Sequence, residues 1–368
     1  MASLAARAAS THIRARMMDA NGYWLSQSAR VAWYLSQYLV STRVGGRRRR
    51  AVPQPQLQPG PQPTPKPKLP TMRDLLVDLA GVLRRDRANI AAGIYKMPHD
   101  AVPDLRRWLG DAALYFEDLP AVTARRARGG ADEIEADHHR VPDYYRRNFH
   151  YQTDGYLSAR SAALYDHQVE VLFLGGAAAM RRQALVPIAA HVRRRRGRQL
   201  RLLDVGTGTG DFLTFVRDNW PELSVTGVDL SRYYLDEAAG RLQAWGGAGL
   251  VNALAEALPV ADASVDLATC IYLLHEVPTG EREKIAAEIG RVLRPGGRLI
   301  IVDSLQYGDV PAYDVLLERF PASFHEPYYE GYARADLDAV FGAAGLKRTG
   351  SAVAFFSKIL VYDRPARG

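Results

Sequence analysis

RRRRGRQLRLLDVGTGTGDF, residues 193–212, carries the reading on which the fold depends. Leu202-Leu203-Asp204-Val205 is a short apolar run of the kind buried inside a parallel sheet. Gly206-Thr207-Gly208-Thr209-Gly210 then turns the chain into a helix opening near Asp211, and glycines are required where a backbone must turn tightly and let a ligand approach. Val225-Thr226-Gly227-Val228 is a second such run and ends in Asp229, where a carboxylate can hold ribose hydroxyls. Ser231 is a natural N-cap for the helix that follows. The arginines at 193–196 could lie on phosphates, but the favoured reading is a helix end, where cations complement the dipole and stay in water.

Working downstream, the runs LRLLDV, LSVTGVD, GLVNAL, VDLATCIYLL and RLIIVDS alternate with helical patterns, and LKRTGSA and AFFSKILVYD close the chain. Strands alternating with helices imply a doubly wound, Rossmann-like α/β sheet, here of seven strands. The last two runs have no helix between them and are expected as an antiparallel hairpin at the sheet edge. Working upstream, 143–190, about 103–127, and 71–95 show helical spacing of apolar residues.

The formal charge of +8 belongs to the N-terminus: residues 1–70 hold nine Arg and two Lys against the single acid Asp19, leaving 71–368 slightly acidic. That weakens a nucleic-acid role for the body. Residues 1–18 have transit-peptide composition, with a bacterial Ala/Arg-rich terminus as the alternative. Residues 20–43 are aromatic and acid-free but too interrupted to span a membrane. Followed by Arg47 to Arg50, they suit either peripheral contact of 20–50 with an anionic membrane or packing on the body or a partner. Residues 51–70 are a proline-rich linker expected to stay disordered. The expected organisation is an extension over 1–50, a linker over 51–70, a helical region over 71–160 and an α/β domain over 161–368. The lone Cys270 excludes an intrachain disulfide framework.

A dinucleotide loop would place its third glycine at 211, where this chain has Asp211, and a pyrophosphate avoids a carboxylate at a helix N-terminus. Acids at 204 and 211 suit a cationic ligand, and S-adenosylmethionine carries a sulfonium and an ammonium group. The ordered set D-V-G-T-G-T-G, V-D-L-S, AEALP (255–259), SVDLATC (264–270) and RVLRPGG (291–297) running into LIIVD closely resembles the class I S-adenosylmethionine-dependent methyltransferases. The resemblance covers about 160–305 and is nearest to the branch of the ubiquinone/menaquinone biosynthesis methyltransferases. Leu164-Tyr165-Asp166 with Phe173, Gly175, Met180 and Arg181 resembles the helix that closes over the cofactor there. The resemblance implies that Gly206, Thr207, Gly208 and Gly210 border the methionine and ribose, with Asp204 near the amino group. It also implies Asp229 on the ribose hydroxyls, Leu230 against adenine, Ala255 and Glu256 at the adenine edge, and Tyr165 as a cover. The family often has Asp or Asn before the AEALP alanine, where this chain has Leu254.

The acceptor of such folds binds beyond the ends of the fourth and fifth strands, here Tyr272 to Pro278 and Asp303 to Tyr307. His275 is the candidate base, with Glu276 orienting it or acting itself, and His325 in the aromatic segment 305–332 is a second candidate. His150, Tyr151 and Tyr156 lie in an aromatic counterpart at 148–158. His138-His139 has no partner at ligand spacing and there is no H-E-x-x-H, so no metal is expected. No N-P-P-Y-like tetrad follows strand four, which disfavours nucleobase amines. The leading expectation is C- or O-methylation of a small, aromatic or lipophilic acceptor. RNA or protein methylation, a non-catalytic cofactor-binding accessory role and a dehydrogenase are the rivals. A cytoplasmic location, with or without membrane association, is expected, and a mitochondrial or other organellar one is the alternative.

Overall fold

The computed structural model describes residues 20–49, 69–129, 133–134, 141–195 and 197–366, without the side chains of 20 and 44–49. Residues 1–18, nearly all of the proline-rich 51–70, His138-His139, Arg196 and the Arg47 to Arg50 side chains thus lie outside the description. Six helices come first: α1 (Ala20–Arg49), α2 (Met72–Ala91), α3 (Leu105–Arg128), α4 (Ala159–Leu172), α5 (Ala177–Arg182) and α6 (Leu185–Arg194). The α/β part follows as β1 (Arg201–Val205), α7 (Asp211–Asn219), β2 (Ser224–Asp229), α8 (Arg232–Leu242), β3 (Gly249–Asn252), β4 (Val265–Ile271), α9 (Thr279–Val292) and β5 (Leu293–Ser304). It ends with α10 (Asp314–Phe324), α11 (Tyr329–Ala333), α12 (Leu337–Ala343), β6 (Lys347–Ala354) and β7 (Ser357–Asp363).

The seven strands form one sheet in the order β3-β2-β1-β4-β5-β7-β6. β1 pairs in parallel with β2 and β4, β4 with β5, and the β6–β7 hairpin joins β5 antiparallel through β7. Alternate residues serve opposite faces: Leu202, Leu267 and Ile300 pack under α2, α5, α6 and α7, while Leu203, Ala268 and Ile301 pack under α9 and α12. Burial on both sides is why these strands read as continuous apolar runs rather than alternating ones. Strand order reverses between β1 and β4, which opens a crevice at their C-terminal ends.

The N-terminal helix is built into the body. On α1 the buried side is Tyr23, Ser26, Gln27, Arg30, Tyr34 and Gln37, a helical stripe of aromatic and polar groups. Arg30 pairs with Asp100 (3.0 Å) and Glu170 (2.6 Å), Tyr23 donates to Asp86 (2.8 Å), and Gln37 meets His167 Nε2 at 2.7 Å. Gly175 passes beneath α1 with φ of +86°, where a Cβ would stand 3.1 Å from the Arg30 carbonyl. Of the two placements open to residues 20–43, packing on the body is the observed one, and the segment is not a loose appendage. The sequence left both placements open because the aliphatic Leu25, Leu39 and Val40 face outward while the buried side is aromatic and polar. Among the described residues no helix is long and apolar enough to cross a membrane. The arginines before β1 are tethered to carbonyls, Arg193 to Gly93 (2.7 Å) and Arg195 to Gly296.

Candidate active site

The crevice beyond β1, β2 and β4 is lined by Gly206, Gly208, Asp229, Leu230, Ala255, Glu256, Tyr165 and Glu276, among others. Gly206 and Gly208 have φ of 74° and 54°, a region costly for residues with a Cβ, and a Cβ on Gly206 would lie 3.1 Å from Leu273. Asp229 Oδ2 accepts from the Gly208 N–H (2.7 Å) and Oδ1 from the Ser231 N–H (2.8 Å), which clamps the loop and leaves lone pairs facing the crevice. Burial raises its carboxyl to about 6 against the lowering effect of those two N–H groups. Leu230 and Ala255 supply apolar wall, and Glu256 accepts from the Tyr144 hydroxyl (2.6 Å). Tyr145, Tyr156 and Tyr165 also line the crevice, whose free volume of about 90 Å³ is below that of ordinary ligand pockets.

Three residues expected in the first contact layer support it from behind. Asp204 is 1% exposed, and both its oxygens are taken by hydroxyls, Thr207 Oγ1 at 2.8 Å and Thr269 Oγ1 at 2.6 Å. It ties the loop to β4, and burial lifts its carboxyl to about 6. Thr207 points to that carboxylate and fills the space a Gly227 Cβ would occupy. Gly210, with φ of 72°, lets α8 approach: a Cβ there would meet Ala238 at 3.0 Å.

The expected base departs further. His275 is buried with Nδ1 2.5 Å from Asp303 Oδ1, and Asp303 Oδ2 also accepts from the Leu274 N–H (2.8 Å). Burial alone would lower the imidazole pKa, but Asp303, aided by Glu276 and Glu326, overcomes it and raises it to about 9. At neutral pH His275 is thus an imidazolium and cannot accept a proton. His325 caps α10 in the left-handed region (φ 53°) with its ring 5.3 Å from that of Tyr151, and it lines neither the crevice nor the cavity described next. Its neighbour Glu326 is the inward-facing member of that segment, together with His150 and Glu276. Neither His150 nor Glu326 stands at a recognisable spacing from Glu276 in the chain, and only the aromatic character of 148–158 and 305–332 pointed to their segments.

A second cavity of about 480 Å³ lies beside the crevice and shares Tyr165 with it. Its wall is chiefly apolar, with Leu119, Val122, Leu172, Phe173, Phe320 and Phe324, and it also includes His150, Arg126 and Tyr38 of α1.

Residues 202–297 match the family model described as the methyltransferase domain, and they span the loop, Asp229 and the AEALP and RVLRPGG segments. Residues 202–297 thus carry a methyltransferase domain of the class I S-adenosylmethionine-dependent type. A ubiquinone/menaquinone biosynthesis C-methyltransferase of Desulfotalea psychrophila is 38% identical over 105 residues, 28% of this chain and 41% of that protein. A demethylmenaquinone methyltransferase of Deinococcus radiodurans is 35% identical over 151 residues, 40% of this chain and 58% of that one. A malonyl-(acyl-carrier protein) O-methyltransferase of Xylella fastidiosa is 36% identical over 102 residues, 27% of this chain and 33% of its own. The matches thus cover between a third and three-fifths of these curated relatives.

A ribose held by the Asp229 carboxylate would give donor binding a pH dependence. Ribose hydroxyls need the ionised form, so S-adenosylhomocysteine affinity is expected to be flat above pH 7. It then weakens as pH falls through about 6, approaching tenfold per unit. Calorimetric titrations at pH 5, 6 and 7.5 check this, and an affinity equal at all three removes Asp229 from the ribose.

Proposed function

We propose that this chain transfers the methyl group of S-adenosylmethionine to carbon or oxygen of a small lipophilic acceptor. The observation that carries this reading is the apolar 480 Å³ cavity sharing the Tyr165 wall with the donor crevice. An acceptor held there would present its nucleophilic atom to the methyl carbon. The new bond forms as the carbon–sulfur bond breaks, the electron pair stays on sulfur, and S-adenosylhomocysteine remains. Desolvation and alignment supply most of the acceleration, because the donor is already activated. A hydroxyl or enolisable carbon must also lose a proton, and the His150, Glu276 and Glu326 group lies on the side where it would leave.

Tyr38, Ser41 and Thr42 of α1 line the cavity, and Leu39 and Val40 are exposed on the same turns. Exposed aliphatic side chains next to these lining residues support an acceptor that partitions into membranes, which is the class we favour. Incubating the protein with methyl-labelled donor and a lipid-soluble extract should label a small organic product. Label confined to RNA or protein would sink the reading. Leu172→Trp, which pushes bulk into the cavity, is expected to raise the acceptor KM about tenfold while the donor Kd stays unchanged. Equal effects on both would place the acceptor elsewhere.

A further inference from the structure

We infer that His150, Glu276 and Glu326 form a binding site for a divalent transition-metal cation where the donor crevice meets the acceptor cavity. The three come from separate segments: the turn Phe149–Tyr151, the turn Leu274–Glu276 after β4, and the link between α10 and α11. His150 Nε2 is 3.4 Å from Glu326 Oε1 and 3.8 Å from Glu276 Oε1, and one donor atom of each residue lies within 4.8 Å of the others. Donor atoms each about 2.0–2.2 Å from a common ion lie at most about 4.4 Å apart, so both His150 separations are within reach of one ion. His150 sits at φ of 57°, a left-handed conformation uncommon for a residue with a Cβ.

Glu326 points independently to a ligand. It is 0% exposed, and neither carboxylate oxygen has a hydrogen-bond partner. A buried carboxylate that no donor hydrogen-bonds, with His150 at 3.4 Å as its near neighbour, costs free energy that a proton or a cation must offset. Two carboxylates, with an imidazole that gives up its proton as the ion binds, balance a dication. The other charged neighbour, the His275 imidazolium, is 3.8 Å from Glu276 and already paired with Asp303. Tyr156 donates to Glu276 Oε1 at 2.6 Å and so orients it from outside the cluster. An imidazole nitrogen with two carboxylates suits zinc, manganese, iron or cobalt better than magnesium or calcium, which prefer oxygen alone.

His150 lines the acceptor cavity and Glu276 the donor crevice, so a bound ion would stand beside an acceptor oxygen and lower the pKa of its hydroxyl. That role rests on the methyl-transfer reading, whereas binding itself does not. The test uses full-length protein stripped with chelator and titrated without substrate, with Co²⁺ by visible absorption and Zn²⁺ by calorimetry. A single site is expected, weakened at least tenfold by Glu326→Gln and by His150→Ala, with S-adenosylhomocysteine affinity retained in both. Two variants guard against one failing to fold. Absence of a saturable Co²⁺ spectrum in the wild type, or unchanged affinity in a folded variant, overturns the site and leaves a shared proton as the partner of Glu326. Loss of S-adenosylhomocysteine binding by the wild type would instead count against the methyltransferase reading.

Discussion

Replacing Asp229 by alanine is expected to weaken S-adenosylhomocysteine binding about a thousand-fold while the protein stays folded. Asp229 is the one carboxylate of the crevice held in place by two backbone N–H groups, those of Gly208 and Ser231. Hydrogen bonds from ligand hydroxyls to a charged group contribute roughly 1.5–3 kcal/mol each, so two from a ribose amount to about 4 kcal/mol, or a factor near a thousand. The variant also removes the clamp on Gly208, which adds to the loss through disorder of the loop. Stability should change little, because a carboxylate pushed up to about 6 is held against its own desolvation and relieves that cost when removed. Calorimetry gives the Kd and thermal unfolding the control. A loss under fivefold would mean that the ribose lies elsewhere.

That Asp229 could be picked out before any coordinates follows from the physics of parallel sheets. Strands buried on both faces leave continuous apolar runs, and β1, β2, β4 and β5 are visible for that reason. The glycines mark backbone turns at β1, and residues at or directly after strand ends, such as Asp229 and Leu230, reach the crevice by topology alone. What sequence could not show was which side of a loop each residue serves. Asp204 and Thr207 satisfy each other, and Gly210 admits α8 rather than a ligand. His275 lies at the expected strand end, but its protonation is decided by Asp303, twenty-eight positions along the chain. Glu326 was one position from the residue chosen, and the left-handed turn at His325 sends the two side chains to different surroundings. The buried stripe of α1 is aromatic and polar, so its apolar pattern alone left membrane contact and packing on the body both open.

That polar stripe sets the second large effect: Asp86→Ala should destabilise the protein by about 4 kcal/mol, lowering Tm by on the order of 10 °C. Asp86 is 0% exposed and receives Tyr23 Oη (2.8 Å), Tyr95 Oη (2.7 Å), Arg182 Nε (3.1 Å) and Arg182 Nη2 (2.6 Å). Its removal strands the Arg182 guanidinium, 1% exposed, with Asp100 at 3.4 Å as its other carboxylate. A buried charge without its partner costs about 3–5 kcal/mol, whereas replacing both partners by apolar groups is often nearly neutral. The double variant Asp86→Leu with Arg182→Met should therefore recover most of the lost Tm, and failure to do so would show that the network matters through geometry rather than charge. Because Tyr23 ties α1 to this carboxylate, Asp86→Ala should also speed tryptic cleavage within residues 20–43. The same helix carries Tyr38, Ser41 and Thr42 of the cavity wall, so loosening its anchor should weaken acceptor binding before donor binding. Stability and substrate access thereby meet in one helix.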